Sequence, residues 1–262
     1  MTEPPALAVA RNRAAVMAEL RRLLPAAVAG LRKSLPFGLA ALDSYLPEGG
    51  LACGALHEVV PAAQAAMPAA FGFMAAFLGR LPRAYPLLFV MPGFGFREYG
   101  RPHGHGLHAL GLDAGRLILV ETAHRKDTLW AMEAALRSAA PPAVAGVIDT
   151  LDLKTSQRLH IAATDAGLPL MLLRPARTLE SSAAATRWRI GTAPAARDRF
   201  GLIARPRWHL QLERCRNGRP GEWVVEYDHV AHRFSLVAAL ADPARARGAG
   251  ENEQPARQAR RA

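Results

Sequence analysis

The sequence predicts an α/β fold in which a mainly parallel sheet finishes in antiparallel strands. From residue 55 to residue 173, short apolar runs of strand length alternate with longer segments of helical periodicity, as in parallel strands joined by helices. After residue 180 the runs alternate like exposed strands, and Asn217-Gly218 between two of them is a strong hairpin signal. A chain of 262 residues is long enough for one such domain with extensions.

Local signals place each element of this fold in turn. Pro68 occupies the first turn of the first predicted helix, where proline is favoured, and Gly167 closes the last helix of the parallel part. Leu129, Met132 and Leu136 share one face of an intervening helix. Strands are predicted over residues 55–60, 86–91, 117–120, 144–148, 170–173, 186–190, 208–215 and 222–228, and helices over 68–78, 104–110, 128–138 and 154–166.

The two ends of the chain differ from this core, which we place at residues 35–240. Residues 1–34 are predicted to form a helical arm, because apolar residues recur there at helical spacing. Such a stripe must cover either the protein's own core or a partner's groove. Residues 241–262 are rich in Ala, Arg, Gly, Pro and Gln without apolar periodicity, which predicts a disordered basic tail. The stripe of the arm, a candidate partner contact, consists of Val16, Leu20, Leu23 and Leu24.

The charge of the chain is positive and is carried almost entirely by arginine. Lys and Arg number 33 against 22 Asp and Glu, a formal net charge of +11, and the lysines are Lys33, Lys126 and Lys154. Arginine favours bidentate contacts, so nucleic acid or an acidic protein is a candidate partner; a GC-rich genome would produce the same bias. The 2 cysteines form no metal pattern and fit a cytoplasmic location. The uncharged segment 62–78 is shorter than the roughly 20 apolar residues of a membrane span, so no membrane association is expected.

A phosphate-binding loop is expected after the first strand of such a fold, and this sequence lacks one there. In Gly-x-x-x-x-Gly-Lys-Thr, the glycines let backbone N–H groups point at phosphates, while the lysine and the hydroxyl hold phosphate and magnesium. Residues 61–68 contain no glycine, no lysine and no hydroxyl, and Pro68 has no N–H to donate. We therefore expect no nucleotide cofactor and no ATPase activity.

Motifs around this loop resemble those of RecA-like recombinases. The resemblance implies a RecA-like, P-loop-type fold with a degenerate Walker A loop, in which Met67 stands at the lysine position and Pro68 at the threonine position. Pro61 and Gln64 belong to the same degenerate loop. Asp149, at the end of a strand, would be a vestigial Walker B carboxylate. The motifs that carry the resemblance are Gly38-x-x-x-Leu42-Asp43, Gly49-Gly50-Leu51, Gly54, Glu58 and Leu110-Gly111-Leu112-Asp113.

More narrowly, the chain is similar to the ImuA family, RecA-like proteins without a working P-loop. This similarity implies a non-catalytic accessory factor of damage-induced (SOS) mutagenic translesion synthesis. The implied partners are an ImuB-type Y-family polymerase homologue and an error-prone C-family polymerase, with RecA and DNA as further candidates. The phrases that carry it are Gly54-Ala55-Leu56-His57-Glu58, Arg187-Trp188-Arg189-Ile190-Gly191, Arg205-Pro206-Arg207-Trp208 and Leu212-Glu213-Arg214-Cys215-Arg216-Asn217-Gly218.

A set of arginines near the end of the core is the candidate DNA contact. Arg187 and Arg189 alternate with Trp188, so both arginines share one face of a strand. The connection 174–187 lies where RecA-like proteins carry a DNA-binding loop, and phosphate contacts there would make binding strongly salt-dependent. A solvated basic face is the alternative. The candidates are Arg187, Arg189, Arg205, Arg207, Arg214, Arg216 and Arg219.

Two further constellations have structural alternatives. Asp149 and Asp152 follow a strand, where α/β proteins place their chemistry, but a loop cap or helix cap is the simpler interpretation. The histidines at positions 103, 105, 108 and 124 could ligate zinc. Interspersed glycines and the lack of a nearby cysteine favour a solvated loop instead, so we expect no metal site.

Competing functions stay open on the sequence alone. A cell-division inhibitor related to SulA shares a reduced RecA-like shape. A true ATPase with an unorthodox loop would require Asp149 for hydrolysis. A stand-alone single-strand DNA-binding protein would bind tightly, and with strong salt dependence, without a protein partner.

Overall fold

The computed structural model describes residues 33–82, 85–93, 98–178 and 180–241, and its main feature is a nine-stranded sheet. A separate two-stranded ribbon, β1 with β2, precedes it. The strands are β1 (Ser34–Leu35), β2 (Leu51–Ala52), β3 (Leu56–Pro61), β4 (Leu87–Pro92), β5 (Leu117–Thr122), β6 (Val144–Val147), β7 (Leu170–Leu173), β8 (Thr186–Arg197), β9 (Ile203–Cys215), β10 (Gly221–Asp228) and β11 (Arg233–Ala241).

The order of the strands confirms a mainly parallel sheet that finishes in antiparallel strands. From one edge to the other the order is β5-β4-β6-β7-β3-β8-β9-β10-β11. Every pair from β5 to β8 is parallel, and the pairs β8–β9, β9–β10 and β10–β11 are antiparallel. This arrangement is compatible with a RecA-like fold.

Helices cover both faces of the parallel part, as the alternating pattern predicts. On one face, α2 packs in an apolar cluster with Val59, Met91 and Trp188. On the other face, α4 and α5 pack in a second cluster with Leu56 and Leu170. The described helices are α1 (Ala40–Asp43), α2 (Met67–Leu78), α3 (Gly104–Ala109), α4 (Arg125–Ser138) and α5 (Leu153–Ala166).

The Gly38-x-x-x-Leu42-Asp43 motif forms a hydrogen-bonded turn at the start of α1. The Asp43 carboxylate accepts the backbone N–H groups of Phe37 at 2.7 Å, and of Gly38 and Leu39 at 2.9 Å each. Gly38 has φ +77°, which a residue with a side chain rarely adopts. The same turn seats Phe37 against Trp188, with ring centroids 5.2 Å apart. The motif therefore anchors the entry into the fold.

Two features of the antiparallel part differ from the sequence prediction. Strands β8 and β9 are longer than predicted, because Pro194 and Pro206, which usually interrupt strands, are accommodated here. Pro194 lies at an irregularity in pairing between Ala193 and Ala196, and Pro206 lies beyond the part of β9 that pairs with β10. Strand β11 was not predicted, because as an edge strand it lacks a clear alternation of buried and exposed residues.

The predicted arm and tail lie almost entirely outside the described residues. The arm's apolar stripe at residues 16–24 and the tail after residue 241 are therefore not covered by this structure. Among the residues that the structure describes, no helix combines the length and the apolar character that crossing a bilayer requires.

Candidate functional site

The predicted strand–loop–helix unit is present at the carboxyl end of β3. The strand ends at Pro61, a 3-10 turn spans Gln64–Ala66, and α2 begins at Met67 with Pro68 in its first turn. Met67 is buried and belongs to the apolar cluster under α2. A side chain placed in this way contacts the core and does not extend over the loop.

Three backbone N–H groups of this loop are used within the protein. Ala62 donates to the carbonyl of Ile190 at 2.7 Å, and Ala66 donates to that of Ala63 at 2.9 Å. Met67 donates to the carbonyl of Gln64. The next residue, Pro68, has no N–H. A phosphate cradle needs successive N–H groups aimed at one point outside the loop, and those of Ala62, Ala66 and Met67 are committed elsewhere.

The segment after β4 contacts the same loop from outside. The Tyr99 hydroxyl donates to the carbonyl of Gln64 at 2.8 Å. Beside it, Pro68, Phe71 and Tyr99 line a cavity of about 240 Å³. Arg101, at the rim of the cavity, is paired with Glu121 at 2.7 Å. The cavity is thus mostly apolar, and its arginine is already neutralised.

The two aspartates that follow β6 have different environments. Asp149 is exposed beyond the end of the strand. Asp152 caps α5, since its carboxylate accepts the backbone N–H and the hydroxyl of Thr155 at 2.8 and 2.7 Å. These two hydrogen bonds, followed by the nearby charge of Arg125, hold the pKa of Asp152 below its usual value. Asp152 is therefore a helix cap, as the structural alternative predicted.

A buried ionic cluster holds the connection between β7 and β8. The side chains of Glu58 and Arg174 are both 0% exposed, and the Arg187 Nε lies 2.8 Å from a Glu58 oxygen. The Arg174 Nη2 donates to Glu180 at 2.8 Å, and its Nε lies 3.8 Å from Glu58. Burial lowers the pKa of Arg174, and the nearby carboxylates act in the opposite direction. We infer that Arg187 is mainly a structural residue of this cluster.

The other predicted DNA-contact arginines are also engaged within the protein. Those on β8 and β9 pair with carboxylates across the strands, and those near the hairpin turn contact backbone carbonyls or rings. Since this pairing neutralises part of the charge, contact between these residues and DNA stays a prediction. The pairs are Arg189 with Glu213, Arg205 with Glu226 and Asp228, Arg207 with Glu226, Arg214 with the carbonyls of Ser182 and Ala184, Arg216 with the carbonyl of Ala183 and with His160, and Arg219 with the Tyr45 ring.

A sequence signal for part of this pairing existed and was missed. The Asn217-Gly218 turn defines the register of the hairpin, and in that register Arg207 lies directly opposite Glu226. Arg205 and Asp228 each lie two residues further on the same face of their strands. Opposite charges at facing positions on adjacent strands predict cross-strand ion pairs.

The predicted histidine loop shows no metal-ligand geometry. The rings of His103 and His105 stack with centroids 5.3 Å apart, whereas His108 lies beside His232. His124 directly precedes α4. Within the described part of the chain, no group of three or more His, Cys, Asp and Glu side chains is placed to hold a metal ion.

The strand order, the strand–loop–helix unit and the covered loop define an α/β protein of a type compatible with the RecA-like fold. Two curated relatives, each called Protein ImuA, come from Caulobacter vibrioides strains NA1000 / CB15N and ATCC 19089 / CIP 103742 / CB 15. Each is 38% identical over 152 residues, which cover 52% of this chain and 62% of the relative. The match thus spans less than two thirds of the relatives' length. No protein-family profile matches the chain. The similarity to these relatives supports membership of the chain in the ImuA family.

Proposed function

We propose that the protein is a non-catalytic accessory factor of damage-induced mutagenic translesion DNA synthesis in the cytoplasm. It acts by assembly with an ImuB-type Y-family polymerase homologue and an error-prone C-family polymerase, with RecA and DNA as further candidate partners. The similarity to the ImuA proteins supports this assignment. The observation that carries the non-catalytic part is the loop after β3, where the N–H groups of Ala62, Ala66 and Met67 are used internally and Pro68 has none. The apolar stripe at residues 16–24 is retained as the candidate contact with the polymerase homologue.

The free energies involved argue against a conventional nucleotide site. A hydrogen bond to a charged oxygen contributes about 1.5–3 kcal/mol. The N–H groups of Ala62, Ala66 and Met67 are used within the protein, and Pro68 has none. Four such missing bonds amount to about 6 kcal/mol or more, most of the roughly 8 kcal/mol that a micromolar site requires.

The first prediction concerns nucleotides. The purified protein should show neither saturable binding of ATP at millimolar concentration nor hydrolysis of ATP, measured by equilibrium dialysis and by phosphate release. Asp149→Ala should leave both readouts at background, as should Asp165→Ala, which removes another exposed carboxylate. Hydrolysis that disappears in Asp149→Ala and persists in Asp165→Ala would instead establish an ATPase with an unorthodox loop.

The second prediction concerns the cell. Deletion of the gene should lower the frequency of mutations after DNA damage, measured by counting resistant colonies, because the polymerases would lack their accessory factor. Growth without damage should be unchanged. Filamentation of cells on overexpression, with normal induced mutagenesis after deletion, would contradict the proposal in favour of a SulA-like division inhibitor.

A further inference from the structure

The hairpin formed by β8 and β9 extends beyond its neighbours in the sheet. Strand β3 pairs with β8 as far as Ile190, and β10 pairs with β9 from Arg207 to Leu212. Among the described residues, strand pairing in the stretch between these points is confined to β8 with β9. Residues 192–206 thus form a two-stranded projection, and we call residues 197–203 the hairpin tip.

The hairpin tip exposes large apolar side chains. Phe200 is 71% exposed, Leu202 66% and Ile203 69%. Single exposed apolar residues are ordinary, but here three lie within four positions at the end of a projection. This clustering of exposed apolar side chains makes the hairpin tip a candidate site of interaction.

The turn holds these side chains in a defined arrangement. The Asp198 carboxylate accepts the N–H groups of Phe200 and Leu202 at 2.8 and 2.9 Å. The Asp198 N–H donates to the carbonyl of Leu202 at 2.9 Å. Gly201 supplies the left-handed backbone conformation, with φ +79°. The tip therefore presents its apolar residues from a hydrogen-bonded turn.

The hairpin tip carries two arginines beside the carboxylate of Asp198, and these arginines are not ion-paired as Arg205 and Arg207 are further down the hairpin. The Arg199 guanidinium carbon lies 4.7 Å from the centroid of the Phe200 ring, and Arg197 donates to the carbonyl of Gly201. Within the described residues, neither arginine has a carboxylate at ion-pairing distance. Arg205, by contrast, is paired with two carboxylates of β10.

We propose that the hairpin tip binds single-stranded nucleic acid, with an unpaired base stacked on Phe200 and with Arg197 and Arg199 against adjacent phosphates. An aromatic face beside unpaired guanidinium groups matches the bases and phosphates of a single strand. An apolar protein groove is less suitable, because it would bury both arginines and would have to supply their carboxylates. A duplex is also less suitable, because inserting a side chain between paired bases costs unstacking energy.

This inference deepens the proposed function, on whose candidate DNA contact it rests, since it assigns that contact to residues that the arginine set did not include. Fluorescence anisotropy of the full-length protein with a labelled oligothymidylate strand tests it at low and at moderate salt. The wild type should bind the single strand more tightly than a duplex of equal length. Phe200→Ala should weaken single-strand binding about tenfold or more with little change in the salt slope. Arg199→Gln should lower the slope of log K against log salt by about 0.7.

Matched controls separate this site from general charge and from the proposed assembly. Trp130→Ala removes another aromatic side chain of 71% exposure, and Arg137→Gln removes an arginine from α4. Both should bind as the wild type does. Wild-type affinity in Phe200→Ala, or no binding of the strand by the wild type, would overturn the proposal. The proposal would also be overturned if Phe200→Ala still bound the oligothymidylate but no longer co-purified with the ImuB-type homologue. Intact co-purification leaves the proposed function standing whichever way the nucleic-acid result falls.

Discussion

Replacement of Glu58 by alanine is expected to lower the free energy of unfolding by about 3–5 kcal/mol, measured by urea denaturation. The carboxylate is fully buried and lies between Arg174 and Arg187. Its removal leaves a guanidinium that is itself fully buried, and a second that is mostly buried, without this counter-charge. A charge inside the protein without its partner is costly, because it has lost its water as well.

Glu213→Ala is the matched control for Glu58→Ala. Glu213 also pairs with an arginine of β8, Arg189, but both side chains are about one quarter exposed. Solvent screens such a pair, so its loss should cost about 1 kcal/mol or less. Equal destabilisation by the two variants would show that burial of the Glu58 cluster has no special energetic role. A larger effect of Glu213→Ala would contradict the prediction outright.

Acidification from pH 7 to pH 5 is expected to lower the free energy of unfolding by about 2 kcal/mol through His57 alone. Burial lowers the pKa of His57 from 6.5 to about 4, while the hydrogen bond to the Ala52 carbonyl partly offsets this effect. Between these two pKa values the unfolded chain binds a proton that the folded protein does not. The contribution to stability is therefore complete above pH 6.5, and it is lost as the pH falls from there towards 4.

The surroundings of His57 explain why it stays neutral in the fold. Its Nε2–H donates to the carbonyl of Ala52, and its Nδ1 accepts the hydroxyl of Thr186, both at 2.8 Å. The indole N–H of Trp188 donates to the same hydroxyl oxygen at 3.0 Å. A second proton on the ring would have no acceptor at Nδ1, because the hydroxyl would have to reverse its hydrogen bond.

Urea denaturation of His57→Gln at both pH values isolates this effect. The variant should be less stable at pH 7, and the difference between its two pH values should be smaller by about 2 kcal/mol. The pKa of His160 is also lowered by burial and by the charge of Arg216. Its contribution to the pH dependence of the free energy of unfolding is present in both the wild type and the variant, so it cancels in the comparison. An unchanged pH dependence in His57→Gln would refute the assignment.

The strands and helices of the parallel part of the sheet were predictable because their signals are local. Pro68 and Gly167 lie at the ends of helices where they were expected, and Asn217-Gly218 lies in the predicted turn between β9 and β10. The long β8–β9 hairpin was not predictable from such signals. Pro194 is compatible with β8 because it lies at an irregularity in the pairing with β9. Pro206 is compatible with β9 because it lies beyond the part of β9 that pairs with β10.

By itself, the sequence determined the alternation of strands and helices and the absence of glycine, lysine and hydroxyl side chains from residues 61–68, because both depend on residue type and spacing within short segments. The tertiary structure alone decided which arginines keep a free charge. Arg187 pairs with the carboxylate of Glu58, which is 129 residues away in the sequence. Arg199 and Phe200, in contrast, lie together at the end of a hairpin that extends beyond the neighbouring strands of the sheet. Charge pairing depends on register and burial, so the basic face expected along β8 and β9 is largely an internal ionic network. Among the described residues, Arg197 and Arg199, which have no carboxylate at ion-pairing distance, lie at the tip of this hairpin.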